Sequence, residues 1–277
     1  MDQPITCDIE GGVATVTLNR PDRLNAMDAD MGALFDRTMV DVGLDDSVRV
    51  VVLTGAGRGF CAGADMARLD TLAAGGRAGY DRPAPGAPHP VFDALTEAPP
   101  AQRTRYVIPS ALPKPVIAAV NGPCAGVGVS LAVTCDVRFA SAEAFFTASF
   151  SRRGLTAEHG LAFSLTSLIG RNAAADLLIS GRRMAAEEAL RVGLVSAVLP
   201  GPDLLAHAQA YARDIAQNVS PRSTRIIKQQ IWAALDQSFA ETLQQAHGEV
   251  LASMDSEDFK EGLAHFKEKR PARFTGR

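Results

Sequence analysis

The sequence predicts an α/β core followed by an α-helical tail. Three observations carry that expectation. Short apolar, β-branched runs recur through the first 200 residues and alternate with helical periods. Two of these runs pass straight into Gly/Ala-rich turns, at residues 48–66 (VRVVVLTGAGRGFCAGADM) and 115–131 (PVIAAVNGPCAGVGVSL). Beyond residue 200 the strand pattern stops and amphipathic helical periods take over.

Taken in order, residues 9–19 (IEGGVATVTLN) alternate after a Gly-Gly turn, which predicts a strand ended by Asn19-Arg20-Pro21. Residues 25–42 place Met27, Met31, Leu34, Phe35 and Met39 at helical spacing. Residues 48–53 read as a buried strand and 54–63 as turns. Residues 70–112 are dense in Gly, Ala and Pro without periodicity, so a long loop with one short helix at 91–95 is expected. Loops of that length in compact domains are usually lids, binding loops or disordered. A strand at 114–120, a buried helix at 126–135 and a short strand at 137–140 follow. Helices are expected at 161–169, 172–179 and 184–192, then at 202–219, 222–251 and 259–269. The resulting division is a core over 1–200, containing the 70–112 loop, and a helical region over 201–277.

A chain of 277 residues suits one large domain or a core plus an appendage. A net charge of −3 offers no basic face for nucleic acid. The start, MDQPITCDIEGG, lacks the basic and apolar regions of a secretory signal, so a cytoplasmic location is expected. The most apolar stretch, 115–137, is interrupted by Asn121, Gly122, Pro123 and Asp136, so it reads as strand plus helix rather than a membrane span. The 4 cysteines show no CxxC spacing and the 5 histidines no HxxxH pair. Reduced thiols and no metal site are therefore expected.

The two Gly/Ala-rich turns carry the chemistry. Small side chains let a ligand approach the backbone, and a helix N-terminus offers free N–H groups with a partial positive charge. Two such sites facing one another suit a negatively charged oxygen. GAGRG at residues 55–59 is GxGxG rather than GxGxxG and is not followed by a clear helix start, which argues against a dinucleotide site. GK[ST] and GxSxG are absent, so neither a P-loop nor a nucleophile elbow is supported.

Five ordered segments extend the pattern: residues 13–27 (VATVTLNRPDRLNAM), 50–66, 114–141, 185–200 (AAEEALRVGLVSAVLP) and 257–274 (EDFKEGLAHFKEKRPARF). Over nearly its whole length the chain resembles the crotonase, or enoyl-CoA hydratase/isomerase, superfamily. That resemblance implies a spiral of ββα units with a C-terminal α-helical trimerisation region, homotrimers or hexamers built as dimers of trimers, and acyl-CoA thioester substrates. It implies no separate cofactor, since CoA is part of the substrate, and neither a nucleic-acid nor a membrane partner. The thioester oxygen would be held by the N–H groups of Ala64 and Val127. Valine stands where glycine is common, and it keeps the donor.

The pattern breaks at the acid–base groups. Hydratases of the family use two glutamates, and the matching positions are Ser130 and Phe150. One carboxylate remains close by: Glu158, where relatives that shift double bonds, or attack aromatic thioesters, carry an aspartate. One carboxylate suffices to move a proton from one carbon to another, so double-bond isomerisation is the favoured expectation. Hydration by Glu158 with Ser130 or His159 helping, and acyl-CoA binding without catalysis, stay open. His159 is also a candidate base or orienting group, and Arg152 and Arg153 candidates for the pocket mouth. By the resemblance, CoA would lie along Ala62, Asp65 and Met66, with Arg23 or Arg58 near its phosphates. Phe266 and Lys269 would cap the adenine end, in some relatives from another subunit. Tyr80, Phe92 and Tyr106 are candidate walls of the acyl pocket.

Overall fold

The computed structural model describes residues 3–75 and 90–277. The chain opens with a hairpin of β1 (Ile5–Glu10) and β2 (Val13–Leu18), paired antiparallel from Ile5↔Leu18 to Glu10↔Val13. Gly11 and Gly12 make its turn at φ +57° and +82°, the conformation that two-residue hairpin loops require. The strand expected after the Gly-Gly turn is β2, starting at Val13, and a separate edge strand precedes the turn. Most of β1 is exposed, so it lacks the apolar pattern that would have announced it.

Next come α1 (Ala29–Leu44), β3 (Val50–Gly55), α2 (Met66–Ala73), α3 (Ile108–Ala111), β4 (Val116–Val120), β5 (Cys124–Ala125) and α4 (Val127–Thr134). They are followed by β6 (Val137–Ser141), β7 (Phe145–Thr147), α5 (Leu161–Ser180), β8 (Met184–Ala185), α6 (Ala186–Arg191) and β9 (Ala197–Leu199). Helices α7 (Gly201–Asn218), α8 (Pro221–Ala233), α9 (Phe239–Met254) and α10 (Glu257–Glu268) complete the chain. The main sheet has the order β1-β2-β3-β4-β6-β9, parallel from β2 onward, and β5-β7-β8 form a small second sheet.

Strand alternation divides the core into two layers. Val16, Leu18, Val51, Leu53, Ala118 and Val120 join Phe35 and Met39 of α1 and Leu131 of α4 in one. Val50, Val52, Ile117 and Phe139 point the other way, onto Leu204, Ala208 and Ala212 of α7. The expected boundary at 200 falls just before this helix, which packs on the sheet itself.

Three helical expectations are corrected. Residues 91–95 form turns rather than a helix. That stretch is nevertheless packed: Phe92, Leu95 and Tyr106 are buried, and Arg105 donates to both carboxylate oxygens of buried Asp36. The long helix expected at 222–251 is two helices, because Ser238 and Glu241 form a capping box that starts α9 afresh. The helix expected from residue 25 starts at Ala29, capped by the Asp28 carboxylate on the Met31 N–H. By contrast, the expected break near 170 is present: Gly170 has φ 74° and ψ 160° inside α5. Tyr80 lies outside the described residues.

The C-terminal helices are tied to the core by polar groups. Buried Lys228 of α8 donates to the carbonyls of Pro109 and Lys114 and pairs with Asp136 at 2.8 Å. Asp258 of α10 accepts from Ser220 and from the Thr275 N–H, folding the last residues back.

Candidate active site

Leaving β3, residues 55–59 are clamped by two asparagines. Asn25, itself left-handed at φ 56°, donates to the Ala56 and Gly59 carbonyls and accepts from the Arg20 N–H. Asn121 accepts from the Gly55 N–H and donates to the Gly57 and Gly59 carbonyls. The GxGxG turn is therefore a clamped loop rather than a phosphate cradle.

Beyond it, Cys61 pairs with the second turn: its N–H donates to the Pro123 carbonyl at 3.1 Å, and it accepts from the Ala125 N–H at 2.8 Å. Met27 flanks the other side, donating to the Gly63 carbonyl and accepting from the Asp65 N–H. In this parallel bridge Met27 uses the groups of residues 63 and 65, so the N–H of Ala64 faces away from it. That N–H has no acceptor among the described residues. Val127 is the first residue of α4, where helix geometry leaves the N–H unpaired. Its neighbour Gly126 is fixed by donation to the Thr147 carbonyl at 3.0 Å.

Glycines let the two turns touch. A Cβ on Gly63, which sits at φ +104°, would lie 3.2 Å from the Ala125 carbonyl oxygen and 3.9 Å from the Gly126 Cα. A Cβ on Gly128 would lie 2.4 Å from the Cys61 carbonyl oxygen, so only glycine lets α4 approach this closely. The free amides of Ala64 and Val127 thus stand one residue beyond the contact on either side. Arg20 braces the assembly, donating to the Ala26 carbonyl and pairing with Asp28 and with Asp65 at 3.1 Å. The Ala67 N–H, above all, holds the Asp65 carboxyl below its usual range, and Arg20 adds to this. Asp65, expected beside CoA, is thus engaged in bracing the loop. Burial pushes the Cys61 thiol up to about 11 and Cys124 well above its ordinary value, so neither is a nucleophile near neutrality.

Next to the paired turns runs a cleft of ≈850 Å³, lined by Leu24, Ala62 and Ala125 and by Arg58, Arg152, Arg153 and Arg183. Arg183 stacks over Phe145 at 4.4 Å, and Arg152 donates to the Ser180 carbonyl. Arg182, also at the cleft, is committed to Asp176 and Glu188. Among the described residues no carboxylate pairs with Arg58, Arg152, Arg153 or Arg183. Arg23 and Met66 are exposed near the same turns. Phe266, 81% exposed, and Lys269 sit at the far end of α10 and do not line this cleft.

Glu158 and His159 precede α5. The Glu158 carbonyl accepts the Leu161 N–H, and His159 takes a left-handed turn at φ 56°. His159 Nε2 lies 3.2 Å from the Glu158 carboxylate. The imidazole packs on the Tyr106 ring at 4.5 Å between centroids. Tyr106, His159, Phe163 and Trp232 line a second, larger cavity of ≈1540 Å³ between the 92–114 stretch and α8. Ser130 and Phe150, which stand at the positions expected for the hydratase glutamates, are both buried, and neither is a carboxylate. Among the described residues no cluster of His, Cys, Asp and Glu is arranged to hold a metal, and no helix is long and apolar enough to cross a membrane.

Sequence reasoning found the two turns and missed their supports. Asn25 reads in the sequence as the start of a helix and Asn121 as an interruption of an apolar run, and only their partners show that they clamp the loop. The Asp36–Arg105 pair spans 69 residues and leaves no local signal.

Fold and paired amides define a crotonase-type protein with a candidate oxyanion hole. The family description enoyl-CoA hydratase/isomerase matches residues 8–83 and 96–277. A probable enoyl-CoA hydratase of Mycobacterium tuberculosis is 37% identical over 95% of this chain and 89% of its own length. The 1,2-epoxyphenylacetyl-CoA isomerase of Escherichia coli is 35% identical over 99% of this chain and 98% of its own. The crystal structure of a probable enoyl-CoA hydratase/isomerase from Mycobacterium abscessus superimposes with a TM-score of 0.84 at 32% identity, covering 99% of both chains. The chain belongs to the enoyl-CoA hydratase/isomerase family.

Proposed function

We propose that the protein isomerises the double bond of an acyl-CoA thioester through an enolate, with Glu158 as the only acid–base carboxylate. The observation that carries the enolate is the contact of Gly63 with the 125–126 backbone, which leaves the amides of Ala64 and Val127 free on either side of it. Two fixed N–H donors in a largely buried site stabilise charge developing on a thioester oxygen. Glu158 takes a proton from C2 of a 3-enoyl thioester, the electron pair moves onto the thioester oxygen, and the Glu158 carboxyl, free to exchange with solvent, returns a proton at C4. The double bond ends between C2 and C3, with no net gain or loss of atoms. His159, 3.2 Å from the carboxylate, positions it. The absence of carboxylates at Ser130 and Phe150 favours this reaction over hydration, which must hold and deprotonate a water as well. One relative named above is an isomerase of an aromatic acyl-CoA epoxide, and a single-carboxylate site is in keeping with that chemistry.

The CoA portion would lie in the arginine-lined cleft beside Ala62 and Ala125. Its phosphates would meet Arg58, Arg152, Arg153 and Arg183, which no carboxylate engages among the described residues. Ile231, Phe239, Leu243 and Phe266 are each 60% or more exposed on the C-terminal helices, at 63%, 84%, 60% and 81%. They are suited to association of copies as trimers or hexamers, with Phe266 and Lys269 reaching the cleft of another copy.

The test supplies 3-enoyl-CoA and 2-enoyl-CoA and follows both products by mass and chromatography. Conversion of the 3-enoyl to the 2-enoyl thioester, abolished in Glu158→Gln, is the expected result. Turnover that survives the substitution overturns the role of Glu158. Tight acyl-CoA binding without turnover favours a binding protein.

A further inference from the structure

Helix α8 turns one face toward the larger cavity. Arg225, Gln229 and Trp232 are spaced four and three residues apart, which puts them on one side of a helix. Arg225 and Gln229 both donate to the Glu97 carboxylate, at 2.9 and 3.4 Å, so that side faces the 92–114 stretch. Trp232, the only tryptophan of the chain, stands one turn further along and lines the cavity. Lys228 fixes the helix in this place by its bonds to the carbonyls of Pro109 and Lys114.

Three more rings reach the same cavity from separate elements: Phe92 from the turns after residue 90, Tyr106 from the stretch before α3, and Phe163 from α5. Phe163 is 47% exposed and Trp232 half-buried, so neither ring is enclosed in the core. At ≈1540 Å³ the cavity exceeds the roughly 300–1,000 Å³ of an ordinary small-molecule pocket. It joins the candidate site through His159. That imidazole lies 3.2 Å from the Glu158 carboxylate and 4.5 Å from the centre of the Tyr106 ring, and it lines the cavity itself. An acyl chain reacting beside Glu158 would therefore run past Tyr106 toward Phe163 and Trp232. The wall suits a ring better than an alkyl chain. Aromatic rings meet one another offset or edge-on and gain beyond the area they bury. The Arg103 guanidinium also lines the cavity, held on the Ala98 and Thr96 carbonyls. A ring face attracts such a cation, whereas an alkyl chain only desolvates it.

We propose that this cavity takes the distal part of the acyl group, and that Trp232 selects thioesters whose acyl chain ends in an aromatic ring. The inference rests on the acyl-CoA reading above and names its substrate class. A ring attached beyond C4 leaves the carbons from C2 to C4 free for migration of the double bond.

The experiment compares 5-phenylpentanoyl-CoA with undecanoyl-CoA, whose acyl groups have equal carbon counts, by calorimetry on the wild-type chain, Trp232→Phe and Trp232→Leu. The wild type is expected to bind the phenyl thioester about fivefold more tightly. Trp232→Phe should keep most of that preference, and Trp232→Leu should bring it to about one or below. The wild type also carries its own reporter. Emission of Trp232, excited beyond the adenine absorption, should change saturably with 5-phenylpentanoyl-CoA and not with CoA. Equal wild-type affinities overturn the inference, and so does a preference that survives in Trp232→Leu. If Trp232→Leu fails to fold, the wild-type emission decides: a signal that the phenyl thioester moves no more than CoA does overturns the inference. Each of these results leaves the acyl-CoA reading standing. Binding of neither thioester overturns both.

Discussion

The two halves of the candidate site are built in opposite ways. The proposed anion-binding half is backbone: the amides of Ala64 and Val127, set by the contact of two glycine turns and locked by Asn25, Asn121 and Arg20. The proposed proton-transfer half is side chain: Glu158 and His159 at a left-handed turn before α5, the imidazole resting on Tyr106. A backbone donor survives almost any side-chain change, and glycine is fixed wherever a Cβ would strike a carbonyl. A carboxylate is lost in one substitution. Relatives named for hydration and for isomerisation are both similar to this chain, and the proposed site divides into a half that resists substitution and a half that does not.

This contrast can be broken in four places. The largest effect is expected in Glu158→Gln, which should lower turnover by about 10²–10⁴-fold while acyl-CoA affinity, measured by calorimetry, stays within a few-fold. Loss of affinity in step with turnover would make Glu158 a binding group instead. Val127→Pro comes next. It deletes the N–H at the first position of α4, where proline is favoured, so circular dichroism should match wild type while kcat falls about 10²–10³-fold. An unchanged kcat would remove Val127 from the oxyanion hole.

A smaller effect, on stability, is expected from Gly128→Ala. The added Cβ would meet the Cys61 carbonyl oxygen at 2.4 Å, and forcing α4 off this strand should cost about 1–3 kcal/mol in urea unfolding. No change would mean that the two turns are not held in fixed contact. The smallest effect is expected at the cleft rim. Arg153→Gln should raise KM for a CoA thioester by about threefold, as for other solvent-exposed charge contacts. The corresponding N-acetylcysteamine thioester, which lacks the phosphates, should be unaffected, and added salt should erase the difference. Equal effects on both thioesters would place the phosphates elsewhere.

The same contrast marks what was legible in the sequence. The glycine turns at 48–66 and 115–131 were readable because close backbone approach demands small residues at fixed places, and the buried helix and strands beside them carry continuous apolar runs. Edge strand β1 was not readable, since its exposed face has no apolar alternation. The join between α8 and α9 was hidden because the apolar period runs across it, although the Ser238–Glu241 spacing was the available sign. The absence of carboxylates at Ser130 and Phe150 was visible at once. The grouping of Tyr106, Phe163 and Trp232 around one cavity was not, because it joins residues far apart in the chain.

The most direct test of the account is isomerisation of 3-hexenoyl-CoA in D₂O, followed by NMR and mass spectrometry. An enolate held by Ala64 and Val127 and served by one carboxylate predicts 2-hexenoyl-CoA as the product. Deuterium should enter only at C2 and C4, where Glu158 exchanges its proton with solvent, and both product and label should vanish in Glu158→Gln. A hydrated thioester as the main product, or label entering at the wild-type rate in Glu158→Gln, would contradict the account.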